Sequence, residues 1–255
     1  MSFKMEAKQG PVVAIDGPAG TGKSSATRRL AELLGFIHVD TGALYRSIAF
    51  LSIERFRKES GVGPESELDF SAIEANAKEI AGTTQLEFKR MPRKNPSNRL
   101  FANGRDVTEF IRTPEVSMAS SRVSSIPEVR AALLGLQRRL GCVGKSILEG
   151  RDIGTVVFPD ADVKFFLTAD VDERAKRRLA ELEASGADAP SFEELKKQIV
   201  ERDRGDTTRQ VAPLKRAEDA IDLDTSRMTL DEVVAKMEEI VRQKLQMKSI
   251  EKPGR

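Results

Sequence analysis

The sequence predicts an α/β fold with a central parallel sheet flanked by helices, and three observations carry that prediction. Short apolar runs rich in β-branched residues, such as Val12-Val13-Ala14-Ile15, lack the alternation of a half-exposed strand and suit burial on both faces. Helical stretches separate these runs, as crossovers between parallel strands require. The first run leads directly into a glycine-rich turn and then a helix. With 255 residues the chain can form one large domain, or one with insertions.

Taken in order, Val12–Ile15 is the first strand. A helix follows from Lys23, with Leu30, Leu33 and Leu34 expected on one face. Phe36 to Val39 reads as a second strand ending at Asp40, and Leu44 to Phe56 as a helix. From Ser60 the texture changes. Gln85 to Lys89 alternates like a strand, Arg99 to Asn103 looks like another, and Asn103-Gly104 signals a turn. This stretch is expected to be an insertion, 60–108, with a small antiparallel sheet. Its basic loop, Lys89 to Arg99, has no interleaved aromatic residues for base stacking, so a solvated tip is expected.

Thr113-Pro114-Glu115 marks a helix start, and Pro127 opens a helix reaching about Leu140. Ser146 to Leu148, Val163 to Leu167 and Ala220 to Leu223 complete the buried strands. Asp172 to Glu183 and Phe192 to Arg204 form charged helices, joined through Gly186 to Pro190. Leu230 to Leu245 closes the fold before a polar tail, 246–255.

Composition narrows the function classes. The chain is 39% hydrophobic and 32% charged, with a net charge of +2, which suits a globular protein and gives no global case for nucleic-acid binding. No segment nears the ~20 apolar residues of a membrane span, and MSFKMEAKQGP lacks the apolar centre of a secretory signal. Cys142 is the only cysteine, so no internal disulfide forms and a reducing compartment fits. A cytoplasmic monomer is expected.

Gly17-Pro18-Ala19-Gly20-Thr21-Gly22-Lys23-Ser24 fits G-x-x-x-x-G-K-[ST], the phosphate-binding P-loop, with Ser25 next in the helix. The glycines let successive backbone N–H groups turn inward on phosphate oxygens, and the helix adds its N-terminal partial charge. Lys23 would bridge the β- and γ-phosphates of ATP, and the Ser24 hydroxyl would ligate Mg2+. Strand before and helix after make a chance match of an ordinary glycine-rich turn improbable. No N-K-x-D element follows a later strand, which weighs against a GTPase switch. A phosphotransferase and a P-loop ATPase coupled to movement both remain open on this motif.

Acceptor-binding groups belong beyond the carboxyl ends of the strands. Asp40-Thr41-Gly42 and Glu149-Gly150-Arg151-Asp152 directly follow predicted strands, and Tyr45 and Arg46 come one turn later. Arginine offers a planar fork for phosphate; carboxylates accept from amino or hydroxyl groups.

The segments IDGPAGTGKSS, DTGALYR, DVTEFIRTPEVSMASSRVSSIPEVRAAL, EGRDIGTVVFPDADVKFFL and ERDRGDTTRQVAPL, in this order, resemble the bacterial cytidylate kinases, nucleoside monophosphate kinases of the P-loop kind. The resemblance runs from about residue 11 to about residue 245. It implies transfer of the γ-phosphate of ATP to CMP or dCMP with Mg2+, on a core of 11–59 and 109–245, with 60–108 as a nucleotide-monophosphate-binding insertion and a helical lid at about 170–213. Thr41 and Arg46 would hold the acceptor, joined by Ser121, Arg130, Arg151 and Asp152. Arg202, Asp206 and Arg209 would act at the transfer site and around the acceptor's sugar. Lys23, Arg151, Arg202 and Arg209 form the expected catalytic set.

On residue type alone, several of these have plainer readings. Thr41 equally suits a helix cap, Ser121 is one hydroxyl among several, Arg130 suits a helix surface, and Arg174 to Arg178 suit a solvated face or ATP contacts. His38, the only histidine, reads as structural. Glu149 departs from the family, which usually has aspartate before Gly-Arg-Asp. It would serve either a water on Mg2+ near Ser24, the favoured reading, or the acceptor nucleotide.

Overall fold

The computed structural model describes residues 7–90, 98–184 and 190–250. Most of the basic loop after Lys89, the link before Pro190 and the last five residues of the tail lie outside the described residues. Two compact units emerge, one of Met1–Asp40 with Arg138–Arg255 and one of Thr41–Gln137.

The first unit is built on a five-stranded parallel sheet. Its strands are β1 (Val12–Asp16), β2 (Ile37–Asp40), β6 (Ser146–Gly150), β7 (Val163–Thr168) and β8 (Ile221–Asp224), in the order β2-β6-β1-β7-β8. All five residues of β1 are buried, as expected of a central strand covered on both faces. Val13, Ile15, Ile147, Phe165, Leu167 and Leu223 share a core with Leu30 of α1 (Lys23–Leu34) and with Met237 and Val241 of α8 (Leu230–Ile250). Each such side chain contributes roughly 1.5–3 kcal/mol relative to exposure. Leu33 is exposed, so the buried face of α1 runs through Ala26, Leu30 and Ala31 instead of through Leu33. The chain also carries the charged helices α6 (Val171–Ala184) and α7 (Phe192–Thr208), the latter opened by a capping box of Ser191 and Glu194.

The second unit contains α2 (Thr41–Ser60), α3 (Phe70–Thr83), the strands β3 (Leu86–Arg90), β4 (Asn98–Ala102) and β5 (Arg105–Asp106), and α4 (Pro114–Val123). The helix α5 (Pro127–Cys142) begins in this unit. The strands form the expected small antiparallel sheet in the order β3-β4-β5. Helix α3 has no counterpart in the sequence reading. Its buried stripe is Ile73, Ala77, Ile80 and Ala81, half of it alanine, which gives little periodic contrast. The clear start signal is Asp69, whose carboxylate accepts from Ser71 N and Ala72 N at 2.9 and 3.2 Å.

Two helical glycines make opposite demands. A Cβ at Gly141 would stand 2.5 Å from the ring of Phe158, which is fully buried, whereas one at Gly82 would meet nothing within 4 Å. Gly82→Ala should therefore raise stability by about 0.5 kcal/mol through helix propensity. Gly141→Ala should lower it by about 1–2 kcal/mol, because overpacking outweighs that gain. Thermal unfolding of the two variants against the parent checks the pair; equal shifts would contradict the packing described.

Candidate active site

The phosphate-binding loop leaves β1 at Asp16. Gly17 has φ 145°, and a Cβ there would overlap the Leu167 carbonyl oxygen at 2.1 Å, so no other residue fits. Gly22, at φ 81°, turns the chain into α1. Lys23 is buried and folds back over the loop, its ammonium donating to the Pro18 carbonyl and, at 3.2 Å, to the Thr21 hydroxyl. Burial first, then the nearby Arg151 guanidinium, hold the Lys23 ammonium well below its ordinary pKa, with Arg202 acting in the same sense. An ammonium pressed by two guanidinium groups is suited to a polyanion, which would relieve the repulsion.

Ser24 Oγ donates to Glu149 Oε2 at 2.6 Å, and Glu149 Oε1 lies 2.9 Å from His38 Nε2. Glu149 is buried at the end of β6, which pairs with both β1 and β2. The strand order thus brings together three residues far apart in sequence.

Beyond β6, Arg151 Nε donates to Asp206 Oδ2 at 2.9 Å. Arg209 stands 3.7 Å from Asp152 and 3.8 Å from Asp206, and its Nε donates to the Ala212 carbonyl at 2.7 Å. Burial alone would push the Asp206 carboxyl up. The charges of Arg151, Arg202 and Arg209 outweigh it and hold that carboxyl below the usual carboxylate range. Of the expected residues, Lys23, Ser24, Glu149, Arg151, Asp152, Arg202, Asp206 and Arg209 are thus linked in one electrostatic neighbourhood of the first unit.

Four expected acceptor residues belong to the second unit. Thr41 is buried and opens α2, and Arg46 is half-buried one turn later. Ser121 is half-buried on α4. Arg130 is not a helix-surface arginine: it is buried, stacks over the Tyr45 ring at 5.4 Å and donates to the Ser124 carbonyl at 3.0 Å.

The sequence left Arg174 to Arg178 between a solvated face and ATP contacts and did not single out Thr225. Arg174 is buried, donating to the loop carbonyl of Ala19 at 3.1 Å and to Asp203 at 2.6 Å. Arg177 donates to the Thr225 carbonyl at 2.7 Å, while the Thr225 hydroxyl donates to the loop carbonyl of Thr21 at 3.0 Å. A solvated face describes only Arg178, which pairs with Glu181. The i, i+3 spacing of Arg174 and Arg177, one helical turn apart, was the available signal.

Asp16 was also missed. Its carboxylate accepts from Ile153 N at 2.8 Å and Gly154 N at 2.7 Å, anchoring a single π-helical turn, Ile153–Val157, directly after Asp152. Burial pushes its pKa up from 3.8 to about 6, despite the two N–H donors. The folded state therefore holds this proton more tightly than the unfolded one. That contribution to stability is complete below about pH 3.8 and is lost as pH rises through about 6. Asp16→Asn cannot titrate. The unfolding free energy of the wild type relative to this variant should fall by about 3 kcal/mol between about pH 3.5 and about pH 8, read by urea titration. A difference independent of pH would contradict the buried carboxyl.

A sequence profile of the cytidylate kinase family matches residues 13–243. The cytidylate kinase of Geobacter sulfurreducens is 45% identical over 237 residues, spanning 93% of this chain and 95% of that protein. Those of Geobacter sp. strain M21 and Syntrophotalea carbinolica are 46% and 44% identical, over 93% and 95% of this chain and 95% and 97% of theirs. The loop, the arginine–carboxylate cluster beyond β6 and a match over most of the chain agree: the chain belongs to the cytidylate kinase family.

Proposed function

We propose that the protein transfers the γ-phosphate of ATP to CMP or dCMP, giving ADP and CDP or dCDP. The observation that carries the reading is the convergence of Lys23, Arg151 and Arg202 on the edge of the sheet where the phosphate-binding loop begins. An acceptor phosphate oxygen forms the new bond to the γ-phosphorus while the bond to the β,γ-bridging oxygen breaks, leaving ADP. The attacking oxygen of the acceptor phosphate is already ionised at neutral pH, so the reaction needs position and charge stabilisation more than a general base.

In this reading Gly17 to Ser25 bind ATP. Arg151, Arg202 and Arg209 meet the charge that develops on the transferring group. Thr41, Arg46, Ser121 and Arg130 of the second unit are assigned to the acceptor, as are Arg151, Asp152, Asp206 and Arg209 of the first. The helices α6 and α7 serve as a lid that excludes water. The lone buried thiol of Cys142 supports a cytoplasmic enzyme.

The donor set suits Mg2+. Ser24 and Glu149 present hard oxygens in direct contact, and no cage of three or more potential ligands occurs among the described residues. Mg2+ is characteristically held by one or two side chains together with substrate phosphates. Ser24 would ligate the ion and Glu149 would hold one of its waters; once bound, the ion would neutralise charge on the β- and γ-phosphates.

A panel of nucleoside monophosphates tests the reading: kcat/KM for CMP or dCMP should exceed that for UMP, AMP and GMP by at least ~10-fold. ATP hydrolysis independent of any acceptor would point to a P-loop ATPase instead. Lys23→Ala should lower kcat at least ~10²-fold, since the ammonium acts on charge that grows in the transition state. Near-normal turnover would remove the loop from the mechanism. Arg46→Ala should raise KM for CMP at least ~10-fold while leaving KM for ATP within about threefold. Equal losses for both substrates would make Arg46 a support of the fold.

A further inference from the structure

The contact between His38 and Glu149 has no part in the chemistry above. His38 lies in β2, whose parallel register sets it beside Ile147 and sets Asp40 beside Glu149. Its imidazole side chain is 19% exposed, whereas the Glu149 side chain is 5% exposed. Nε2 of His38, in the tautomer that carries its proton there, is placed to donate to Oε1. Ser24 donates to the other oxygen, Oε2. The carboxylate is therefore clamped from both sides, one donor from the edge strand and one from the phosphate-binding loop.

That clamp acts on the loosest torsion of the side chain. The terminal rotation of a glutamate carboxylate is broad and roughly two-fold, and fixing a long flexible side chain costs conformational entropy. A bond at one oxygen restrains that torsion less than bonds at both. A second donor on the opposite oxygen fixes the plane and reserves Oε2 for the loop. His38 is poorly placed to bind the ion itself, because Nε2 faces a carboxylate and Mg2+ prefers oxygen donors.

We propose that His38 is a positioning residue for Glu149, orienting the carboxylate so that Oε2 serves Ser24 and a metal ion at the phosphate-binding loop. The inference rests on the reading of Ser24 and Glu149 as the metal side of the site. It assigns a role to the sole histidine of the chain, which the phosphoryl transfer itself does not require.

The test measures Mn2+ binding to the enzyme–ADP complex by the electron paramagnetic resonance of free Mn2+, with no acceptor and no turnover. His38→Leu removes the donor and keeps apolar bulk; His38→Gln restores an N–H donor. His38→Leu should weaken Mn2+ by about 5- to 10-fold, and His38→Gln should stay within about twofold of wild type. ADP affinity in metal-free buffer should remain within about twofold in both variants, which also reports an intact loop. KM for CMP should not change by more than about twofold. Wild-type Mn2+ affinity in His38→Leu, or equal losses in both variants, would overturn the proposal. Ser24→Ala separates the underlying reading: if it leaves Mn2+ affinity unchanged, the metal assignment of Ser24 and Glu149 fails and this inference fails with it. A large loss in Ser24→Ala beside none in His38→Leu would overturn the role of His38 alone.

Discussion

Lys23 is buried with the guanidinium groups of Arg151 and Arg202 close enough to depress its basicity. Like charges at such proximity repel, and the polypeptide must hold them together against that repulsion. The architecture around the first unit's sheet edge answers this constraint. Asp206 is buried among Arg151, Arg202 and Arg209 and offsets part of their charge. Glu149 and Asp16 act on Lys23 in the opposite sense to the arginines. Positive potential at the site is thus maintained without leaving each cation to bear its full desolvation cost.

The four carboxylates of this edge divide the work by environment. Asp206 is fixed by three arginines and remains ionised. Glu149 takes donors from Ser24 and His38 and connects the loop to the edge strand. Asp152 faces Arg209 at 3.7 Å. Asp16 is aimed at the backbone: its two bonds to Ile153 and Gly154 define where the chain goes after the Arg151-Asp152 pair. The space is tight, since a Cβ on Gly154 would lie 3.1 Å from Lys164 and 3.4 Å from Asp16. Asp16 therefore links the start of the loop to the placement of Arg151 and Asp152.

Local signals carried much of the fold and of the donor loop. The strands, their parallel arrangement and the phosphate-binding loop follow from apolar runs, glycine placement and the helix start at Lys23. The residues proposed for the acceptor were nameable only through extended motif resemblance, because a threonine, a serine and two arginines have no chemistry that composition alone can single out. What stayed hidden has a common cause. Thr225, Asp16 and His38 matter through partners distant in sequence: Thr21, Ile153 and Gly154, and Glu149. No local pattern encodes a pairing that the strand order creates. Helix α3 was missed for a different reason, since a stripe made half of alanine barely departs from its surroundings.

Arg174 shows how the donor loop and the arginines of α7 become one mechanical system. One guanidinium bonds the Ala19 carbonyl of the loop, the Ala169 carbonyl at the end of β7 and the Asp203 carboxylate of α7. Asp203 immediately follows Arg202 and stands one turn before Asp206, so the bond fixes the face of α7 that meets Lys23 and Arg151. A loop carbonyl engaged by Arg174 is one whose negative end is already paired with a cation. The same contact thereby orients the loop's dipoles and holds α7 in place. Because Arg174 is buried, loss of its charge would leave the Asp203 carboxylate and the Ala19 carbonyl without that donor at the same time. The Ala19 carbonyl of the loop and the Asp203 neighbour of Arg202 therefore share one buried guanidinium.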